Sequence, residues 1–116
     1  MKKCKLHIND KDYLLEMNRN SVKWLEARGF SFTDFDKKPV TYYDLLWESL
    51  FQANHKDVNP SLAIKLLESY EKEKGSEMVG EVIKFAIGEY TAFMNALAGT
   101  NSEKNEKKET LEIIED

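Results

Sequence analysis

The chain has 116 residues, of which 41% are apolar, 33% are charged and 11% are aromatic, and its formal net charge is −4. That length supplies one domain with one core, and the aromatic content excludes a chain that is disordered throughout. Residues 101–116 hold six acids and three lysines, a net charge of −3, which leaves −1 for the rest. A nearly neutral body lacks the basic face that nucleic-acid binding requires.

The single cysteine, Cys4, excludes an intrachain disulfide and favours a reducing compartment. No apolar run approaches the roughly 20 residues of a membrane span. The basic N-terminus turns polar at Asn9 and Asp10, before the apolar stretch that a signal peptide needs. We therefore expect a cytoplasmic protein.

The N-terminal residues alternate in the way that strands do. The apolar positions on either side of a polar stretch are Leu6, Ile8, Tyr13, Leu15 and Met17. Asn9 and Asp10 between them are typical turn residues, so the pattern predicts a β-hairpin.

A short helix and an irregular stretch come next. Asn20 or Ser21 is predicted to cap the helix, and Gly29 lies where the residue after a helix C-cap belongs. The stretch that follows ends at Pro39, because proline cannot occupy a helix interior. A third short strand near residues 30–35 is a second interpretation of that stretch.

Three main helices are predicted in the rest of the body. The first covers residues 41–54, with Thr41 as its cap. The second opens at Asn59 and Pro60, and the third covers residues 76–97. The apolar stripe of the first is Tyr43, Leu46, Trp47, Leu50 and Phe51. The stripe of the third is wider than one face, so that helix either lies within the core or keeps apolar surface for a partner.

The predicted fold is therefore α+β, with an N-terminal hairpin packed on a bundle of three main helices and one short helix. Residues 1–98 form the single domain, and residues 99–116 form an acidic, disordered tail. Leu111, Ile113 and Ile114 make an apolar patch at its end. That patch is either a frayed end or a segment that folds on a partner.

The residues offer little for catalysis. Cys4 and His7 are spaced as half of a zinc site, but the other half is missing, which indicates a thiol on an edge strand and a surface imidazole. Glu26 and Glu48 are the carboxylates closest to aromatic residues, whereas the others are mixed with lysines. No phosphate-binding or metalloprotease motif occurs. We predict no enzyme activity, no cofactor and no metal.

Several segments in order resemble a known family. They include Glu26 before Gly29 and Phe30, Lys38 before Pro39, and the aromatic helix segment from Leu46 and Trp47 to His55. Across residues 3–95 the chain resembles the tail assembly chaperones encoded by phages and prophages of Gram-positive bacteria, which are of the siphovirus type.

The resemblance implies a protein-binding chaperone for the tape measure protein, which it shields before the tail tube polymerises in the host cytoplasm. It implies contact with the major tail tube protein in phages that make a frameshifted longer form, and absence from the mature virion. An apolar groove would hold one face of a helical client. The candidate lining residues are Trp47, Phe51, Phe85 and Phe93, with ordinary core packing as the alternative. Self-association is compatible with coating a long client.

A second hypothesis is a small phage regulator or adaptor that inhibits or recruits a host protein. Its acidity would imitate nucleic acid, which requires carboxylates concentrated on one face of the folded body.

Overall fold

The computed structural model describes residues 2–99 and 112–115. The described residues form an α+β fold with a three-stranded antiparallel sheet beside helices, which confirms the predicted fold class. No described helix is both long enough and apolar enough to cross a membrane.

The predicted hairpin is present as β1, Lys2–Ile8, and β2, Lys11–Glu16. The two residues of its turn, Asn9 and Asp10, have φ angles of 51° and 64°. A two-residue turn of type I′ needs positive φ at both central positions, and Asn and Asp tolerate it better than other side chains. The turn sequence therefore sets the register, in which Leu6 pairs with Tyr13 and Cys4 with Leu15.

The sheet order is β2-β1-β3, so β1 is the central strand and the expectation that Cys4 lies on an edge strand is wrong. Cys4 is buried on the core face. His7 is exposed, because residues three apart on a strand point to opposite faces. The spacing of Cys4 and His7 therefore separates their side chains instead of joining them as ligands.

The third strand, β3, is Glu112–Glu115, and it pairs antiparallel with β1. The prediction of a disordered tail is wrong for these four residues. Residues 30–35, the predicted position of a third strand, contribute to a 3-10 helix instead. The remaining tail residues, 100–111 and 116, lie outside the described part of the chain.

The outer edge of β2 is covered by the segment that follows the second main helix. The Glu16 amide donates to the Leu50 carbonyl at 3.2 Å, and the Leu14 amide donates to His55 Nε2 at 2.9 Å. Asn54 Nδ2 donates to the Leu14 carbonyl at 3.2 Å. These bonds satisfy the backbone groups that an edge strand would otherwise offer to another strand.

The short helix α1 spans Arg19–Ala27, and its cap is Asn18, not the predicted Asn20 or Ser21. Asn18 accepts a bond from the Ser21 amide, and Ser21 Oγ accepts one from the Asn18 amide, which makes a capping box. Gly29 has φ 80° after the helix, as predicted. The Gly29 amide donates to Glu26 and the Phe30 amide to Leu25, which completes a Schellman motif.

After the 3-10 helix, Phe32–Lys37, the helix α2 spans Pro39–Ser49. The cap is Lys38, so the predicted cap at Thr41 is three residues too late, and the predicted end at residue 54 is five residues beyond the observed end at Ser49. Pro39 occupies the first turn, where its missing N–H is not needed. Residues 50–54 leave the helix as turns, and the segment to which they belong covers the edge of β2.

The last two helices are α3, Pro60–Lys74, and α4, Ser76–Leu97. Both agree with the predicted bounds, and Asn59 caps α3 by accepting from the Leu62 amide at 2.8 Å. Gly75, with φ 98°, separates them. The core lies between the sheet and these helices. Its largest fully buried side chains include Trp47, Phe51, Ile8, Leu15, Met17, Leu25, Leu46 and Leu50.

Candidate protein-binding surface

Two of the four aromatic residues predicted to line a groove are core residues. Trp47 and Phe51 have no accessible surface. Trp47 Nε1 donates to the Ala63 carbonyl at 2.8 Å, and the Phe51 ring packs 5.6 Å from both Tyr13 and Trp47. The structure thus assigns these two rings to the alternative, core packing, and in this conformation they offer nothing to a partner.

The other two residues, Phe85 and Phe93, lie on α4 and are half-buried. Both pack against the core, and the Arg19 guanidinium lies over the Phe93 ring at 5.6 Å. The wide stripe of α4 therefore divides into a buried part and a partly exposed part. Its first half contributes Val79, Val82, Ile83 and Ala86 to the core, whereas its last turns keep apolar surface, with Leu97 57% exposed.

A more exposed apolar surface lies where the 3-10 helix meets α2 and α4. We call it the apolar strip and define it by Phe32, Phe35, Pro39, Val40, Tyr43 and Tyr90. Phe32 is 45% exposed and Val40 is 72% exposed. The Phe32 ring lies 6.2 Å from the rings of both Phe35 and Tyr90, which joins α4 to the 3-10 helix.

The apolar strip rests on a rigid aromatic base. The buried Phe30 ring packs edge-on against Tyr42 at 5.2 Å and Tyr90 at 5.4 Å. Tyr42 donates its hydroxyl hydrogen to the Gly29 carbonyl at 3.3 Å. Gly29 also follows the end of α1. The turn after α1 therefore helps to position the Tyr42 ring. These contacts hold the exposed rings in one arrangement.

One end of the apolar strip is an open depression of about 400 Å³, lined by Phe35, Pro39, Val40, Tyr43 and Glu71. Pro39 and Val40 are at the first turn of α2, and Glu71 reaches the depression from α3. The lining is apolar on three sides and carries a carboxylate on the fourth.

Carboxylates gather beside this depression, and we call Asp44, Glu48, Glu68 and Glu71 the acidic group. Burial raises the pKa of Asp44, and Glu68 raises it further. Burial also raises the pKa of Tyr43, with Glu71 and Asp44 adding to the effect. These couplings place α2 and α3 carboxylates near one another. Lys65 and Lys72 lie on the same face of α3 as Glu68 and Glu71, so positive and negative side chains are mixed there.

The two carboxylates considered for chemistry lie on different helices, Glu48 on α2 and Glu26 on α1. Glu48 is 8% exposed, and burial raises its pKa to about 7, with a further rise from Asp44 and a reduction from Arg28. Glu26 is exposed on α1. Among the described residues, no three His, Cys, Asp or Glu side chains converge as metal ligands.

The sequence named neither Phe32 nor Val40 as a binding residue. The prediction relied on helical periodicity, which selects side chains that face the core, such as Trp47 and Phe51. The sequence does contain one signal for exposed aromatic residues. Phe30, Phe32 and Phe35 together fit neither helical nor strand spacing. Rings outside any regular period cannot all turn toward one core, so some of them remain at the surface.

The fold and this surface define a small α+β protein with an exposed apolar strip. The chain belongs to the family described as Domain of unknown function (DUF5055), whose model matches residues 1–113. The match extends past α4 and includes part of β3. No curated protein and no solved structure matches the chain.

Proposed function

We propose that this protein is a non-enzymatic chaperone of phage tail assembly, which binds the tape measure protein and shields it before the tail tube polymerises. The observation that carries the proposal is the apolar strip, in which Phe32 and Val40 remain exposed on a rigid aromatic base. The resemblance of residues 3–95 to tail assembly chaperones names the client. The protein acts in the host cytoplasm and is absent from the mature virion.

The strip suits a helical client with one apolar face. A helix presents apolar side chains at every third or fourth residue, about 5–6 Å apart, and the 6.2 Å spacing of the Phe32, Phe35 and Tyr90 rings is similar. The acidic group favours a client whose apolar face is bordered by lysine or arginine. The major tail tube protein is a second partner on the same proposal.

The test is to co-express the tape measure protein of the same genome with this chain and measure how much of it stays soluble. Phe32→Ser together with Val40→Ser is expected to reduce the soluble fraction of the client, because both side chains bind it. Leu62→Ser is the matched control, since Leu62 is an exposed apolar residue, 39% accessible, outside the strip. Equal client solubility with and without this protein would contradict the proposal.

A second candidate function, a regulator or adaptor that binds a host protein, is favoured by the acidic group. Asp44 on α2 and Glu68 on α3 are close enough for Glu68 to raise the pKa of Asp44, and imitation of nucleic acid requires carboxylates brought together in this way. Glu68→Gln with Glu71→Gln would then abolish capture of a host polymerase or nuclease. The same pair of substitutions would leave an apolar client largely bound.

A further inference from the structure

The outer edge of β1 is occupied by β3 in a defined register. Lys2 lies opposite Glu115, Lys3 opposite Ile114, Cys4 opposite Ile113 and Lys5 opposite Glu112. The two isoleucines occupy the middle of this ladder, and one of them stands opposite the core residue Cys4.

We propose that this edge of β1 is a docking site for strand β3 and that two copies of the chain exchange their β3 strands through it. The occupant is the segment Glu112–Glu115 of a second copy, antiparallel to Lys2–Lys5. The ladder in the exchanged pair is identical to the one within a single chain. Reciprocal exchange therefore keeps every pairing and needs only two copies in proximity.

Of the two outer edges of the β1–β2 hairpin, the edge on β1 is the one at which exchange can occur. The opposite edge of the sheet, on β2, is covered by bonds from Leu50, Asn54 and His55. β3 is a short strand, and Ile113 and Ile114 are each 37% exposed. Among the described strands, β3 pairs with β1 alone, so exchange has to break and remake that one ladder.

The length of chain between α4 and β3 permits β3 to pair with β1 of its own chain or with β1 of a second copy. Twelve residues, 100–111, join Gly99 to Glu112, and twelve residues span at most about 40 Å when fully extended. That reach equals the longest dimension of the protein, 40 Å. A short tether gives β3 an effective concentration of about 1 mM near β1 of its own chain. The strand therefore docks on its own chain in dilute solution and on a second copy when the protein concentration approaches that value.

The test is a disulfide that only exchange can form between two full-length chains. One chain is unaltered and supplies Cys4, and the other carries Cys4→Ala with Ile113→Cys. Mixed at high concentration in a glutathione redox buffer, they are expected to form a covalent heterodimer that increases with concentration. Cys4→Ser replaces Cys4→Ala if that variant does not fold.

The matched control is a second chain carrying Cys4→Ala with Ile114→Cys. Position 114 faces Lys3 on the other side of the sheet, so its thiol is expected to yield at most about one tenth of the heterodimer. Equal yields from the two positions would show non-specific oxidation and overturn the proposal. A chain with Cys4 and Ile113→Cys is expected to close an internal disulfide in dilute solution. Internal closure without any heterodimer at high concentration would overturn the exchange.

Discussion

Glu48 is a buried carboxylate whose burial opposes its ionisation. It is 8% exposed on the inner side of α2, and its neighbours are Asp44 on the same helix and Arg28 after α1. Arg28 is itself stacked on the Trp24 ring at 3.9 Å, which holds its charge close by. Arg28 offsets only part of the effect, because the pKa of Glu48 still rises from 4.5 to about 7.

Glu48→Gln is expected to stabilise the protein by about 1–2 kcal/mol near pH 8. Because the folded-state pKa is raised, the folded chain binds more protons than the unfolded chain between pH 4.5 and about 7. The wild-type protein therefore loses stability as pH rises through that window. Urea denaturation at several pH values measures the difference, which should shrink toward pH 4.5. A gain that is the same at every pH would contradict this account.

His55 titrates in the opposite sense. Burial lowers its pKa from 6.5, and its Nε2 accepts the Leu14 amide hydrogen at 2.9 Å, which only an unprotonated nitrogen can do. The folded chain therefore resists protonation, and the stability from this bond is present above pH 6.5 and lost as pH falls below it.

His55→Gln retains an acceptor for the Leu14 amide and does not titrate in this range. We expect the variant to become more stable relative to wild type as pH falls from about 6.5 to about 5, with a constant difference above about pH 7. Chemical denaturation at both ends of the range measures this. If the relative stability of the two proteins is the same at both ends, His55 does not hold the edge of β2 as a neutral imidazole.

Among the elements, α1 has a cap that differs from the predicted one. The structure has Asn18 as the cap, whereas the sequence predicts Asn20 or Ser21. Asn18→Ala is expected to destabilise the protein by about 1 kcal/mol, because the Ser21 amide loses its acceptor. Asn20→Ala, at the predicted cap, should change stability by less than about 0.5 kcal/mol, since Asn20 is exposed inside the helix. Thermal denaturation of the two variants compares them directly, and a larger loss for Asn20→Ala would restore the original prediction.

In the molecule as a whole, two aromatic residues separate the core from the apolar strip. Trp47→Ala is expected to cost about 3–5 kcal/mol, because it leaves a cavity and removes the donor to the Ala63 carbonyl. Phe32→Ala should cost less than about 1 kcal/mol, since nearly half of that side chain is already in water. Urea denaturation curves give both values. Similar losses would mean that Phe32 serves the fold, which would leave the proposed binding surface without its central ring.

The features that the sequence predicted correctly depend on neighbouring residues. Asn9 and Asp10 accept positive φ and close the hairpin, Gly29 follows the end of α1, and Asn59 caps α3. Each of these signals acts within about four positions along the chain, so it can be read from the sequence alone. The alternation that buries Leu6 and Ile8 is local in the same way.

The features that the sequence missed depend on residues far apart along it. β3 pairs with a strand about 110 positions away, so nothing beside Ile113 indicates a strand. The helix α2 ends at Ser49 and not at residue 54, where the segment from Leu50 to His55 bonds to β2. Trp47 and Phe32 are both large rings, and only the packing of α2, α3 and α4 decides that the first is buried in the core while the second stays exposed. Local propensity thus determined the elements and their turns, and the competition among apolar surfaces for one limited interior determined which of them remained outside.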